Sequence, residues 1–240
     1  MDKILNYQIS LFGNFIDINA DDEAAKSLLN LFDDFTAGYT LLTTADFKTG
    51  QLLNTKRLQL RSKTHNLLIT FMPERIDLNY QYEPFIKDEV LTIDEVFKEL
   101  STLLVQLNSH FSELLGNRLA TSCNILSPKY QTDKMNEIIT RFSNKSIFFS
   151  ENDYISEWSL RFNSNSEYTI NNTSERINRL VTLSVPQNPE YKDQILMIID
   201  INTIPFNQKN RFTFNDLIQF ADEGKKIMDN YLKKFENETK

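Results

Sequence analysis

Few side chains in this sequence have the type and spacing that chemistry needs. There are two histidines, His65 and His110, and one cysteine, Cys123. No His-x-x-x-His or Cys-x-x-Cys pair occurs, so neighbouring residues assemble no zinc site and no metal ligand set is assigned. His65 falls in Lys63-Thr64-His65-Asn66, whose composition predicts a hairpin turn and a solvated imidazole. His110 sits beside Leu107, Phe111 and Leu114, at the edge of an apolar helical stripe, where a structural role is the expectation. Cys123 lies between Ser122 and Asn124 in a predicted strand. No histidine is near it in sequence to activate the thiol.

Carboxylates offer two further patterns. Asp46-Phe47-Lys48, with Asp33 or Asp34 upstream, has the Asp…Asp-x-Lys spacing of nucleases that hold Mg²⁺ and activate water on it. The tripeptide is common by chance, and Asp33 and Asp34 fall at a predicted helix end. Asp200-Ile201-Asn202-Thr203 follows an apolar run and has the outline of a phosphatase Asp-x-Asp-x-Thr, but Asn202 replaces the second carboxylate. No Gly-x-x-x-x-Gly-Lys or Gly-x-Gly-x-x-Gly is present to cradle a nucleotide phosphate. No cofactor is expected. One constellation suits binding. Arg57, Gln59, Arg61 and Lys63 alternate with Leu58 and Leu60, so period-two geometry places them on one strand face as a candidate binding surface. Pairing with Asp77 across strands would neutralise that face.

The elements that would carry these residues are legible from periodicity. Leu5, Tyr7, Ile9 and Leu11 alternate with polar residues and predict a first strand, with a break near Gly13. Asp21-Asp22-Glu23 opens a helix carrying Ala24, Leu28, Leu31, Phe32 and Phe35, with Gly38 suited to its C-terminal cap. Four strands follow with short connections: Tyr39 to Phe47, the Leu58–Leu60 region, Leu67 to Met72, and Ile76 to Tyr82. Thr92 and Glu95 have capping-box spacing and start a long helix, with an apolar stripe from Ile93 to Leu115. The order then recurs: a strand at Leu119–Leu126, a helix at Asp133–Phe142, strands near Trp158–Phe162, Tyr168–Ile170, Ile177–Val185 and Ile195–Ile204, and a last helix capped by Thr213. The expected fold is therefore α+β, with two tandem β-α-β(3-4)-α units, 1–117 and 118–240. Each has an antiparallel sheet crossed by a long helix, and the two pack together without a flexible linker.

Composition narrows the classes. The chain has 240 residues, 40% of them hydrophobic, with 18 Phe and 9 Tyr, enough apolar material for a real core. A formal net charge of −7 argues against nucleic acid, which needs a cationic excess to displace counterions. Residues 1–18 carry too many polar side chains for a signal peptide, and no apolar run approaches the ~20 residues that span a bilayer. A cytoplasmic protein with no membrane partner is the expectation.

The order β-α-β4-α resembles the unit of the TATA-binding-protein-like and helix-grip class, in which an antiparallel sheet wraps a long helix. Lys56-Arg57-Leu58-Gln59-Leu60-Arg61-Ser62, Met72-Pro73-Glu74-Arg75-Ile76-Asp77-Leu78-Asn79, Gly116-Asn117-Arg118-Leu119 and Ile198-Ile199-Asp200-Ile201-Asn202 are similar to stretches of a sporadically distributed bacterial protein family of unknown function. Where that family has Gly-Leu-Arg-Tyr-Ile-Asn, this chain has Leu119-Ala120-Thr121-Ser122-Cys123-Asn124. The resemblance implies no catalytic residues. Its patchy distribution implies an accessory, antitoxin-like or regulatory component of a mobile-element or defence locus. The functional expectation is a non-enzymatic protein–protein interaction module, whose partner is a second copy or a protein encoded at the same locus. The alternatives are a metal-dependent nuclease using Asp33 or Asp34, Asp46 and Lys48, and a small-ligand or peptide binder in a helix-grip groove.

Overall fold

The computed structural model describes residues 3–18, 21–45, 52–83, 91–143 and 158–239. Strand β1 (Lys3–Phe12) leads to helix α1 (Asp22–Leu29). Asp21 caps that helix, its Oδ1 accepting the Ala24 amide at 2.8 Å. A meander of β2 (Phe35–Ala45), β3 (Leu52–Ser62), β4 (Leu67–Met72) and β5 (Arg75–Gln81) precedes helix α2 (Ile93–His110). Thr92 and Glu95 cap α2 reciprocally, as their spacing predicts. Then come β6 (Arg118–Leu126), α3 (Thr132–Ser143), β7 (Ser159–Ile170), β8 (Thr173–Ser184), β9 (Leu196–Thr203) and α4 (Phe214–Thr239). The β7–β8 hairpin turns on Asn171 and Asn172, both at positive φ (49° and 61°), the pairing that a tight right-twisted hairpin requires.

The fold is α+β, and its strands make one antiparallel sheet of nine, in the order β2-β3-β4-β5-β1-β6-β9-β8-β7. The expected separate sheets are replaced by this one because the first strand of each half pairs with the other. β1 and β6 run antiparallel from Lys3–Leu126 to Phe12–Arg118. Each would otherwise present a bare edge backed by apolar side chains.

One face of the sheet is apolar. Tyr7, Ile9 and Leu11 of β1, Ile76 and Leu78 of β5, Leu119 and Cys123 of β6, and Ile199 and Ile201 of β9 are at most 1% exposed. Helix α2 buries Val96, Leu100, Leu104 and Leu107 against this face, and α4 buries Leu217, Phe220, Ala221 and Met228. The remaining two described helices lie on the same side. Gln106 of α2 donates to the Leu31 carbonyl just after α1, and Phe142 of α3 stacks on Phe235 of α4. The halves also meet at Phe111 and Phe214, whose rings stack with centroids 6.0 Å apart, and at Lys225, which is bound by Asp94 and Asp229.

Three local expectations change. Helix α2 ends at His110, short of the Leu115 to which its apolar stripe was expected to run. The first helix ends at Leu29, not beyond Phe35. Phe32 and Phe35 still reach the core, from the turn and from β2, with ring centroids 5.2 Å apart. Gly38 is therefore no helix cap and lies within β2. The strands expected near Trp158–Phe162 and Tyr168–Ile170 are one continuous β7. Its polar middle escapes an apolar-alternation test because residues 161–165 are exposed on both faces of the strand.

Candidate functional site

Opposite the helices, among the described residues, the sheet presents a face that no helix covers. Strand alternation sends the polar partners of the core residues there. Register then aligns them into rows that cross the molecule. One row runs Gln59, Thr70, Asp77, Ser10, Ala120, Asn202, Asn178, Asn165 from β3 to β7. The next runs Arg61, Leu68, Asn79, Gln8, Ser122, Asp200, Leu180, Asn163 over the same strands. A third links Gln81, Asn6, Asn124, Ile198, Thr182 and Arg161. Carboxamides and hydroxyls recur in every row, and each carboxamide offers both donors and an acceptor.

Charges on this face are mostly neutralised within it. Arg75 Nε lies 2.8 Å from Asp77 Oδ2, and Arg61 lies 3.1 Å from Glu83. Glu167 faces Arg176 across β7 and β8. Asp77 also accepts the Ser10 hydroxyl at 2.6 Å and the Gln8 amide at 3.1 Å. Burial raises its pKa above the ordinary value, against the lowering by Ser10, Arg75 and Gln8. Asp200 accepts the Asn202 side-chain amide at 2.8 Å. Arg118 lies over the Phe12 ring, 4.7 Å from its centroid. The result is a polar and nearly charge-balanced face, in which Ser10, Asp77 and Asn202 are buried and Gln8, Asn79, Ser122 and Asn178 are partly exposed.

The four basic-strand residues do not act together. Arg57 is 2% exposed: its Nε donates to the Phe71 carbonyl and its Nη2 to the Phe15 carbonyl, each at 3.0 Å. Burial lowers its pKa, and Glu74 opposes this. Arg61 pairs with Glu83, Lys63 reaches the Asp33 carbonyl at 3.4 Å, and Gln59 remains on the open row. Asp77 is neutralised by Arg75 and not by these residues.

A second feature is a surface pocket of about 460 Å³ between the end of α1, the β3–β4 turn and α2. Asp33, Asp34, Ser62, Thr64, His65 and Glu99 are among its lining. Asp34 accepts the Ser62 hydroxyl at 2.5 Å and the Thr64 hydroxyl at 2.7 Å, and these bonds lower its pKa. Ser62 Oγ in turn accepts the Thr64 and His65 amides at 3.2 and 2.9 Å. His65 lies in the β3–β4 turn, partly solvated as expected, and its Nδ1 lies 3.0 Å from Glu99 Oε1. The arrangement ties a hairpin turn to two neighbouring segments. The Ser62 hydroxyl, donated to Asp34, is not poised toward His65 as a nucleophile.

The other candidates stand apart. Asp46 and Lys48 lie outside the described residues, so the nuclease trio is located only at Asp33 and Asp34. Cys123 is buried on the helix face, and burial pushes its thiol pKa far up. His110 is exposed and meets the edge of Phe111, with centroids 4.6 Å apart. Among the described residues, no group of three or more His, Cys, Asp or Glu could hold a metal ion. No helix among them is long and apolar enough to cross a membrane. The carboxamide rows were missed in the sequence because they join residues of eight strands. Their signal was present only as the polar half of each alternation. No family model, no curated protein and no solved structure matches the chain.

Proposed function

We propose that this chain is a binding module without catalysis of its own, whose carboxamide-lined sheet face docks a partner protein. The carrying observation is the polar row from Arg61 to Asn163, which crosses the sheet from β3 to β7 with Asn79, Gln8 and Ser122 partly exposed, Asn163 exposed and no described helix against it. Carboxamides and hydroxyls match the mixed donors and acceptors of a polypeptide surface. The internal Arg–acid pairs leave little cationic excess for a phosphate backbone. An accessory or antitoxin-like role at a mobile or defence locus belongs to the same reading.

The layout also supports a chain built from two like units, 1–117 and 118–240. Each half places its first strand at the β1–β6 seam and runs its meander inward from an outer edge, β2 to β5 on one side and β7 to β9 on the other. The first meander has one strand more.

The test compares affinity purification from the native cell using the wild-type chain, an Asn79→Lys/Ser122→Arg variant, and a Lys98→Glu control on exposed α2 surface. A partner lost only with the sheet-face variant, and retained in high salt, supports the reading. A partner retained by all three overturns it. So does cleavage of RNA or DNA with Mg²⁺ or Mn²⁺ that Asp46→Ala removes while the fold persists.

The pocket of about 460 Å³ beside His65 and Glu99 favours a second reading, a small-ligand binder. A thermal shift with a small polar compound, abolished by Glu99→Gln, would support it.

A further inference from the structure

The two outer strands of the sheet differ in how they are protected. Natural edge strands are blunted by charge, proline, bulges or brevity, because a bare edge templates pairing with another chain. β2 has none of these devices. It is eleven residues long, Phe-Thr-Ala-Gly-Tyr-Thr-Leu-Leu-Thr-Thr-Ala, without charge or proline. Its register with β3 is unbroken from Phe35–Ser62 to Ala45–Leu52. No described strand lies on its outer side.

Tyr39 and Leu41 project from the same face of this strand and are 42% and 65% exposed. The Tyr39 ring is held in place: its hydroxyl donates to Asp22 at 3.1 Å, and Lys56 Nζ lies 5.7 Å from its centroid. A fixed, exposed aromatic is an anchor that loses little freedom on binding.

We infer that β2 is a homodimer interface, in which two copies pair their β2 strands antiparallel about a twofold axis at Thr40. Thr40 is the midpoint of Phe35–Ala45, so this register pairs the strand along its full length. It also sets Tyr39 of each copy directly opposite Leu41 of the other. The two exposed apolar side chains of each copy then cover those of its partner, an isologous and self-closing contact. No charged side chain of β2 opposes another. The opposite edge is protected: β7 carries Arg161 and Glu167, and charge is one of the devices that blunt an edge strand. Pairing β2 with β7 would run on without closing. A second copy joined at β2 continues the sheet and leaves the carboxamide rows of both copies open.

Thr40→Cys tests the register. In this dimer the two Thr40 Cα atoms are about 4.5–5.5 Å apart, within the ~4.4–6.8 Å that a disulfide spans. Mild oxidation should cross-link Thr40→Cys efficiently and Thr36→Cys poorly, since Cys123 is buried and silent. Sedimentation of the full chain should give a dimer. Leu41→Glu, which faces Lys56 within its own chain, should raise the dissociation constant about tenfold or more by placing a carboxylate in the apolar contact. Phe162→Glu should leave it unchanged. A monomer at all concentrations, a dimer that Phe162→Glu dissociates, or equal cross-linking at Thr36→Cys and Thr40→Cys overturns the inference. The cross-linking comparison decides the matter even if Leu41→Glu fails to fold.

Discussion

Asp34 looks like a catalytic carboxylate in sequence and behaves as a structural one in space. Ser62 and Thr64 donate hydrogen bonds to it, so its charged form is favoured and its pKa falls below the ordinary 3.8. An acid with a lowered folded pKa stabilises the fold above its unfolded pKa. That contribution fades as pH falls through the lower folded value. Asp34→Asn should therefore be less stable than wild type at pH ~7, and the gap in urea midpoint should close on acidification below pH ~4. A gap that is constant or widens at low pH would show that the Ser62 and Thr64 bonds do not act through the charge. Arg57 is the reverse case. Period-two alternation correctly separated it from Leu58 and Leu60 but could not show that the Phe15 carbonyl folds back to meet its guanidinium. A residue 42 positions away in sequence carries that information, and no local pattern does. Cys123 was legible because a thiol in an alternating apolar strand, with no base near it, has only packing to do.

At the scale of elements, the strongest local signals held. The capping box at Thr92 and Glu95, the stripe of α2 and the alternation of β5 are each written within a few residues. The end of α1 was misplaced because Leu31, Phe32 and Phe35 continue a helical spacing while the chain has already turned toward β2. How α4 seats on the sheet was not legible, since it depends on one close approach. Gly224 packs on Thr121 of β6, and a Cβ at that position would overlap Thr121 Cγ2. Gly224→Ala should destabilise by ~1–3 kcal/mol, because overpacking here outweighs the better helix propensity of alanine. Thr121→Ser deletes the clashing methyl and keeps the hydroxyl. The double variant should recover much of the loss, and a denaturation-based double-mutant cycle measures that coupling. Additive effects would mean that α4 shifts as a whole to accommodate the alanine.

At the scale of the whole molecule, the seam between β1 and β6 decides whether the halves are independent. Strand order within each half follows from short connections, but the pairing of Lys3–Phe12 with Arg118–Leu126 spans half the chain and leaves no local trace. This is why separate sheets were expected. The seam puts Tyr7, Ile9, Leu119 and Cys123 at the centre of a core shared by both halves, all at 0% exposure. Helices α2 and α4 clamp it from one side, through Lys225 with Asp94 and through Phe111 with Phe214. Arg211 adds a pair of bonds to Glu175, at 2.7 and 2.9 Å, and one to the Asn117 carbonyl at 2.7 Å. Splitting the chain at the seam would expose these apolar faces together with two bare strand edges. Unfolding should therefore be a single transition, despite a length that allows two domains. The only tryptophan, Trp158, precedes β7 and reports on the second half, while far-UV circular dichroism reports on both. Their denaturant midpoints should coincide. Residues 1–117 and 118–240 expressed separately should aggregate, and co-expression should return a soluble complex paired at β1 and β6. Two resolved transitions, or a soluble and folded 118–240 fragment, would mean that each half holds its own core and that the seam is only a docking contact.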